Sequence, residues 1–202
     1  MWGNYYLIAQ NEYVGLTHTA AYDENKELGK TLEYCKTSLM GLEYYDSSTA
    51  AIDAFMNDKN VALVVDEVKM QQLRQNYASQ HEESFVVRFN VQDLYKQASG
   101  VNAYPLVGVF VKKDLLKNNV DIVASFLQTI RQSIKTYNGS KESLRKCLDN
   151  IDLTILGYDK DFVIECYDAM GLNFIPASQC INEINKFSEL HDISLSEKSF
   201  VK

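Results

Sequence analysis

The apolar positions of this 202-residue chain change period several times. "YYLIAQ" (5–10) is an apolar, β-prone run that predicts a strand. "VGL" (14–16) predicts a second, short strand. In "THTAAYDENKELGKTLEYC", Ala21, Asn25, Leu28, Leu32 and Cys35 recur at helical spacing, with Thr17 or Thr19 as N-cap. "LEYY" (42–45) predicts a strand, and "DSST" opens a helix with Ile52, Phe55 and Met56 on one face and Ser47 or Ser48 as cap. "VALVV" (61–65) is apolar throughout and of strand length, the pattern of a strand buried on both faces. "DEVKM" starts a helix running through Leu73 and Tyr77, and "FVVRF" (85–89) predicts another strand. Residues 14–89 thus read β-α-β-α-β-α-β, which implies a parallel or mixed sheet with helices on its faces.

After Gly100 the pattern changes. "LVGVFV" (106–111) predicts one strand, and four helices follow without another. The first carries Ile122, Phe126, Ile130 and Ile134; the second Leu144, Cys147, Leu148 and Ile151. The third carries Phe162, Val163, Cys166, Tyr167 and Met170; the fourth starts at Pro176 and carries Ile181, Ile184 and Phe187. Each has one apolar face, so they are expected to pack on the same module as the sheet. The expected organisation is a compact α/β lobe over 12–104, with 1–11 and 105–202 supplying hinge strands and C-terminal helices. The strands at 5–10 and 106–111 flank that lobe as a two-strand hinge would.

Charge and cysteines narrow the function classes. A net charge of −7 with no basic stripe argues against nucleic acid as a partner. No apolar run is long enough to span a bilayer, and the chain opens without a signal peptide. Cys35, Cys147, Cys166 and Cys180 form no CxxC pair, and His18, His81 and His191 do not cluster with them, so neither metal nor cofactor is expected. Cys35, Cys147 and Cys166 fall on apolar helical faces. No GxSxG, GxGxxG, P-loop or HExxH is present, and His18 near Thr17 and Asp23 is too sparse a constellation for catalysis, so no enzyme is expected.

The order "WGNYYLIAQ", "VGLTHTAA", "AAIDAFMNDKNVALVVDE", "YPLVGVFVKKDLLKNNVDIVASFLQTI" and "GLNFIPASQCINEINKF" resembles the solute-binding proteins of ABC importers. The class is the type II periplasmic-binding fold that includes sulfonate, nitrate, taurine and thiamine-precursor binders. In that family a helix with "AxxAF", here Ala51 to Phe55, precedes a strand whose end lines the ligand cleft, here Val61 to Glu67. The stretch Val109–Leu127 matches the family's segment after the second crossover, with Val120 where proline is common. The resemblance starts at the first hinge strand; the family's N-terminal lobe would precede Trp2, and only "NEY" separates the hinge strand from "VGL".

The resemblance implies non-catalytic capture of a small solute, delivered to the importer's membrane subunits by an extracytoplasmic protein, periplasmic or a cell-surface lipoprotein. An effector-binding sensor domain of the same fold, or a degenerate lobe that binds only protein, are the alternatives. It places ligand contacts where strands end and helices begin, because helix N-termini offer unpaired N–H groups. Thr17, His18 and Thr19 form one candidate loop and Ser47, Ser48 and Thr49 another, with simple N-capping as the other reading. Asp66 and Glu67 end the buried strand, where they suit a cation or a hydrogen-bond donor, or serve as helix-start acids. Asn102 and Tyr104 enter the second hinge, where Tyr104 stacks on a flat ligand or packs the hinge. Trp2 is a cleft wall or a hinge plug. Surface left by the absent lobe is expected to make a homodimer, with the strand at 5–10 as participant.

Overall fold

The computed structural model describes residues 4–10, 15–23, 26–78, 85–105, 107–153, 159–167 and 172–195. The chain divides into two compact units, one of Gly3–Pro105 with Ala177–Lys202, the other of Leu106–Pro176 with Met1–Trp2.

The first unit is α/β. Its strands are β1 (Tyr5–Ala9), β2 (His18–Tyr22), β3 (Leu42–Tyr45), β4 (Val61–Asp66) and β5 (Val86–Asn90), and its helices are α1 (Glu27–Cys35), α2 (Ser48–Asn57), α3 (Glu67–Ala78) and α4 (Val91–Ser99). The strands form one mixed sheet in the order β3-β2-β4-β1-β5. β2 pairs parallel with β3 and with β4, while β1 runs antiparallel between β4 and β5. The expected β-α-β-α-β-α-β winding is therefore present from β2 to β5, and β1 fills the place that the last crossover skips.

Local chemistry sets the helix starts. The Ser47 hydroxyl accepts the Ala50 N–H at 3.1 Å, so Ser47 is the cap of α2 and Ser48 its first residue. The Asp66 carboxylate accepts the Lys69 N–H at 2.8 Å and opens α3 in the same way. Asn90 caps α4 through the Gln92 N–H at 2.8 Å, and α4 stops where Gly100 takes a left-handed φ of 76°.

The sheet separates two apolar layers, because alternate residues of a strand point to opposite faces. On one face Ile8, Ala20, Leu63 and Val65 pack with Ala51 and Phe55 of α2 and Met70, Leu73 and Tyr77 of α3. On the other, Leu7, Ala21, Ala62 and Val64 are buried on the side taken by α1 and α4. Val61 to Val65 are no more than 1% exposed, as the unbroken apolar run predicts. Burying the four large side chains among them, Val61, Leu63, Val64 and Val65, stabilises the fold by roughly 1.5–3 kcal/mol each.

Three sequence expectations are corrected here. "HTAAY" is strand, not the first turns of a helix: Thr19 and Ala21 face one side of the sheet and Ala20 and Tyr22 the other, a period of two, and α1 begins only at Glu27. Neither Thr17 nor Thr19 is therefore an N-cap. Second, residues 15–16 are not strand, while Val14, Trp2 and His81 lie outside the described residues. Third, 107–112 pair with no described strand. Val107, Val109 and Phe110 are 58%, 51% and 91% exposed, so the β-prone sequence has no ladder to join.

The sheet unit also holds α9 (Ile181–Leu190), which touches α1 and is preceded by a 3-10 turn at Ala177–Gln179 rather than starting at Pro176. The other unit is helical among its described residues: α5 (Lys113–Asn118), α6 (Val120–Tyr137), α7 (Lys141–Leu148) and α8 (Lys160–Glu165). Its core is Leu144, Leu148 and Ile164, with Tyr137, Leu153, Val163 and Tyr167 packed around them. Ser140 and Asp159 cap α7 and α8. All four cysteines are thiols; Cys35, Cys166 and Cys180 are buried, but Cys147 is exposed, because the buried face of α7 is the one carrying Leu144 and Leu148.

Candidate functional site

In a doubly wound sheet the winding direction reverses at a switch point, and a crevice opens there beyond the carboxyl ends of the strands. Here the chain steps from β2 out to β3, then crosses back over β2 to β4. The reversal lies between β2 and β4, whose last residues are Tyr22 and Asp66.

These two residues meet. The Tyr22 hydroxyl donates to Asp66 Oδ2 at 3.4 Å, and Lys69 Nζ donates to the Tyr22 hydroxyl at 3.2 Å. Lys69 Nζ also lies 3.5 Å from Asp66 Oδ2 and 4.6 Å from the centre of the Tyr22 ring. Tyr5 enters from β1, whose antiparallel course sets its first residue opposite Asp66. Beyond the end of β2, Asp23 turns the chain with a left-handed φ of 61° and pairs with Lys26 Nζ at 2.9 Å. Aspartate tolerates that conformation better than most residues.

The field of this edge is negative. Burial first, then Asp66, Asp23 and Glu27, pushes the Tyr5 phenol up to about 12. Burial and Asp66 push the Tyr22 phenol up further. Both phenols stay protonated at neutral pH and act as hydrogen-bond donors, while the carboxylates accept. Glu67 follows Asp66 and is fully buried. Its N–H bonds the Asn4 carbonyl at 3.0 Å, Oε1 accepts from Gln71 Nε2 at 2.7 Å, and Oε2 has no partner. Burial raises its carboxyl pKa, with Gln71 and Arg74 acting the other way.

The other expected site residues divide between the two ends of the sheet. Ser47 and Ser48 stand just beyond the carboxyl end of β3, on the same edge as Asp66. Thr17, His18 and Thr19 are at the opposite edge, because they start β2 rather than follow it: the Thr17 N–H bonds the Asn60 carbonyl just before β4, and the Thr19 N–H bonds the Gly41 carbonyl just before β3. His18 contacts Thr17, Tyr45 and Glu43, at 3.6 Å from the last, and Thr19 is buried with its hydroxyl unpaired. One crevice cannot take both groups.

Tyr104 is core. It is 1% exposed, stacks on Phe187 of α9 at 6.0 Å and meets Tyr95 edge-on at 5.2 Å. Its backbone N–H and carbonyl are both held by the Gln92 side chain. A solute cannot stack on a ring whose face is already covered, so its packing reading replaces the ligand one. Asn102 is exposed beside it.

Tyr5, Tyr22 and Lys69 escaped the sequence reading. The alternation within "HTAAY", followed by the polar turn "DENK", is the signal that marks Tyr22 as a strand end. A cavity of about 200 Å³ lined by Tyr34, Tyr95, Lys186, Glu189 and Leu190 sits between α1, α4 and α9, on the helical layer rather than at the strand ends. Among the described residues, no group of His, Cys, Asp and Glu is placed to hold a metal ion, and no helix is long and apolar enough to cross a membrane. No family model, curated protein or solved structure matches this chain.

Proposed function

We propose that the sheet unit is a solute-binding lobe of the type II periplasmic-binding kind, serving an ABC importer without catalysing a reaction. The observation that carries this reading is the meeting of Tyr22 and Asp66 at the switch point, on the edge where open α/β sheets hold ligands. The course of β1 supports it. A strand delivered antiparallel between β4 and β5 belongs to no crossover of the lobe's own winding, as expected of a strand that brings the chain in from a hinge. Tyr5, Tyr22 and Asp66 are the contacts, Lys69 orients the Tyr22–Asp66 pair, and Ser47 lies on the same edge. Phenol donors beside carboxylates suit a small solute with both N–H groups and acceptors.

One lobe encloses a solute from one side only, so binding by this chain is weak, roughly millimolar, or about −4 kcal/mol. Calorimetry against sulfonates, nitrate, pyrimidines and aromatic amines tests it. Saturable binding that is lost in both Asp66→Ala and Tyr22→Phe is the expected result. Binding that survives both would put the cleft elsewhere. A second reading, a lobe that binds only protein, draws on the fact that Lys69 and Tyr22 already occupy the Asp66 carboxylate; no heat with any solute at about 10 mM selects it.

A further inference from the structure

The cavity of about 200 Å³ between α1, α4 and α9 lies away from the strand ends, and its lining has a direction. Tyr95 of α4 is fully buried and stands at the floor. Lys186 and Glu189 of α9 keep 37% and 71% of their side chains exposed and stand at the mouth. Tyr34 of α1 and the half-buried Leu190 of α9 lie between these extremes.

Size and walls set the body of a ligand. A cavity of about 150 Å³ takes up benzene, so this one holds a single substituted six-membered ring. The Tyr34 and Tyr95 rings, 6.0 Å apart with planes at 46°, attract a further ring, offset or edge-on, at about 4.5–7 Å. The Tyr34 hydroxyl already donates to the Ala98 carbonyl at 3.4 Å, so Tyr34 offers its ring alone.

The polar groups set the rest. The Tyr95 hydroxyl makes no hydrogen bond of normal length and angle, although the Ser99 side chain approaches it. Burial first, then the neighbouring Tyr34, pushes the Tyr95 phenol up to about 12, so at neutral pH it is a donor in want of an acceptor. At the mouth, Lys186 Nζ and Glu189 Oε2 are 3.8 Å apart across one turn of α9. An exposed pair of this kind holds weakly and opens readily. A ligand with one charge meets one of these side chains and is repelled by the other. A ligand with an ammonium and a carboxylate on the same carbon meets both.

We infer that this cavity is a binding site for a free amino acid with a single hydroxylated ring. The ring lies against Tyr34 and Tyr95, and its hydroxyl accepts from the Tyr95 hydroxyl. The carboxylate pairs with Lys186 and the ammonium with Glu189. The same ring carried inside a peptide chain lacks both charges and gains nothing at the mouth. The site is separate from the switch-point edge, and nothing in its construction depends on Tyr22 or Asp66.

Titration of the full chain with L-tyrosine, followed by amide shifts in two-dimensional NMR, tests the site. Saturable binding at roughly millimolar is expected for a ligand of about a dozen non-hydrogen atoms, with the shifts centred on 95–99 and 186–190. L-phenylalanine, which lacks the ring hydroxyl, is expected to bind about threefold or more weakly, and Tyr95→Phe to erase that difference. Tyramine, which lacks the carboxylate, is expected to bind more weakly than L-tyrosine. Lys186→Glu is expected to reverse that order, weakening L-tyrosine and strengthening tyramine by about threefold each. N-acetyl-L-tyrosinamide, which carries neither charge, is expected to bind more weakly than either. Tyr95→Phe removes only a hydroxyl and Lys186 is at the surface, and circular dichroism checks that both variants are folded. Shifts confined to the surroundings of Tyr22 and Asp66 overturn the inference, as does the absence of any shift at 95–99 and 186–190. So does a preference for L-tyrosine over tyramine that Lys186→Glu leaves in place, or one over L-phenylalanine that survives Tyr95→Phe.

Discussion

Glu67→Gln is expected to stabilise the sheet unit at neutral pH. Glu67 is fully buried, and only one of its two carboxylate oxygens has a donor, Gln71 Nε2 at 2.7 Å. Glutamine keeps the shape and leaves an oxygen to accept that bond. What it removes is the charge, whose burial raises the carboxyl pKa in the folded protein. A raised carboxyl pKa means that the folded state holds the proton more tightly than the unfolded chain does. The folded state therefore incurs no penalty below the ordinary value of 4.5, and loses stability as pH rises from there through the folded value. A buried polar atom without a partner costs about 1–3 kcal/mol. The glutamine amide is itself left unpaired, so the recovered part is about 1 kcal/mol, close to a fivefold change in opening equilibrium. Hydrogen exchange of the β4 amides reports it, because the central strand opens only with the whole unit. The expected gain is present at pH 7 and gone by pH 4. A variant less stable than the parent at pH 7, or equally more stable at both, would falsify the assignment of the cost to a buried charge.

Ser47→Ala removes the cap of α2 and is expected to lower stability by about 1 kcal/mol in urea unfolding, with Ser48→Ala near zero because Ser48 accepts no cap bond. Tyr104→Ala is expected to cost about 3–5 kcal/mol, while Tyr104→Phe is neutral or stabilising, since the Tyr104 hydroxyl is buried without a partner. A ligand-stacking tyrosine would show the reverse, a small stability effect with a loss of binding.

Most of the sheet unit is legible from period alone. "VALVV" and "LEYY" match β4 and β3 because their apolar pattern has one meaning at strand length. "HTAAY" misleads because its alanines suit either period and its threonines look like caps; the sheet, not local preference, selects strand. That one misreading sets Thr17, His18 and Thr19 after a strand instead of at the start of β2 and hides Tyr22 as a strand end, since an error in one element shifts every residue that it orients. α4 went unread because "VQDLYKQAS" follows β5 with no intervening loop, so Asn90 serves as strand end and helix cap at once. β1 is legible as a strand, but its expected part in self-association needs an unpaired edge. The structure puts it inside the sheet, hydrogen-bonded on both sides. Neighbour order in a sheet depends on long-range pairing, which no local window contains.

On the solute-binding reading proposed above, the cost carried at Glu67 has a consequence for binding. A buried carboxylate with one oxygen unpaired, at a strand end, costs stability that apolar packing would not, and such costs cluster at functional sites. Glu67 directly follows Asp66 and raises the negative potential at the switch point, so neutralising it should weaken capture of a solute bearing N–H groups while it strengthens the fold. The two effects separate in one variant. In Glu67→Gln, weaker calorimetric binding together with slower β4 exchange ties the buried charge to the edge. Slower exchange with unchanged binding would instead make Glu67 a purely structural residue and restrict the site to Tyr5, Tyr22 and Asp66.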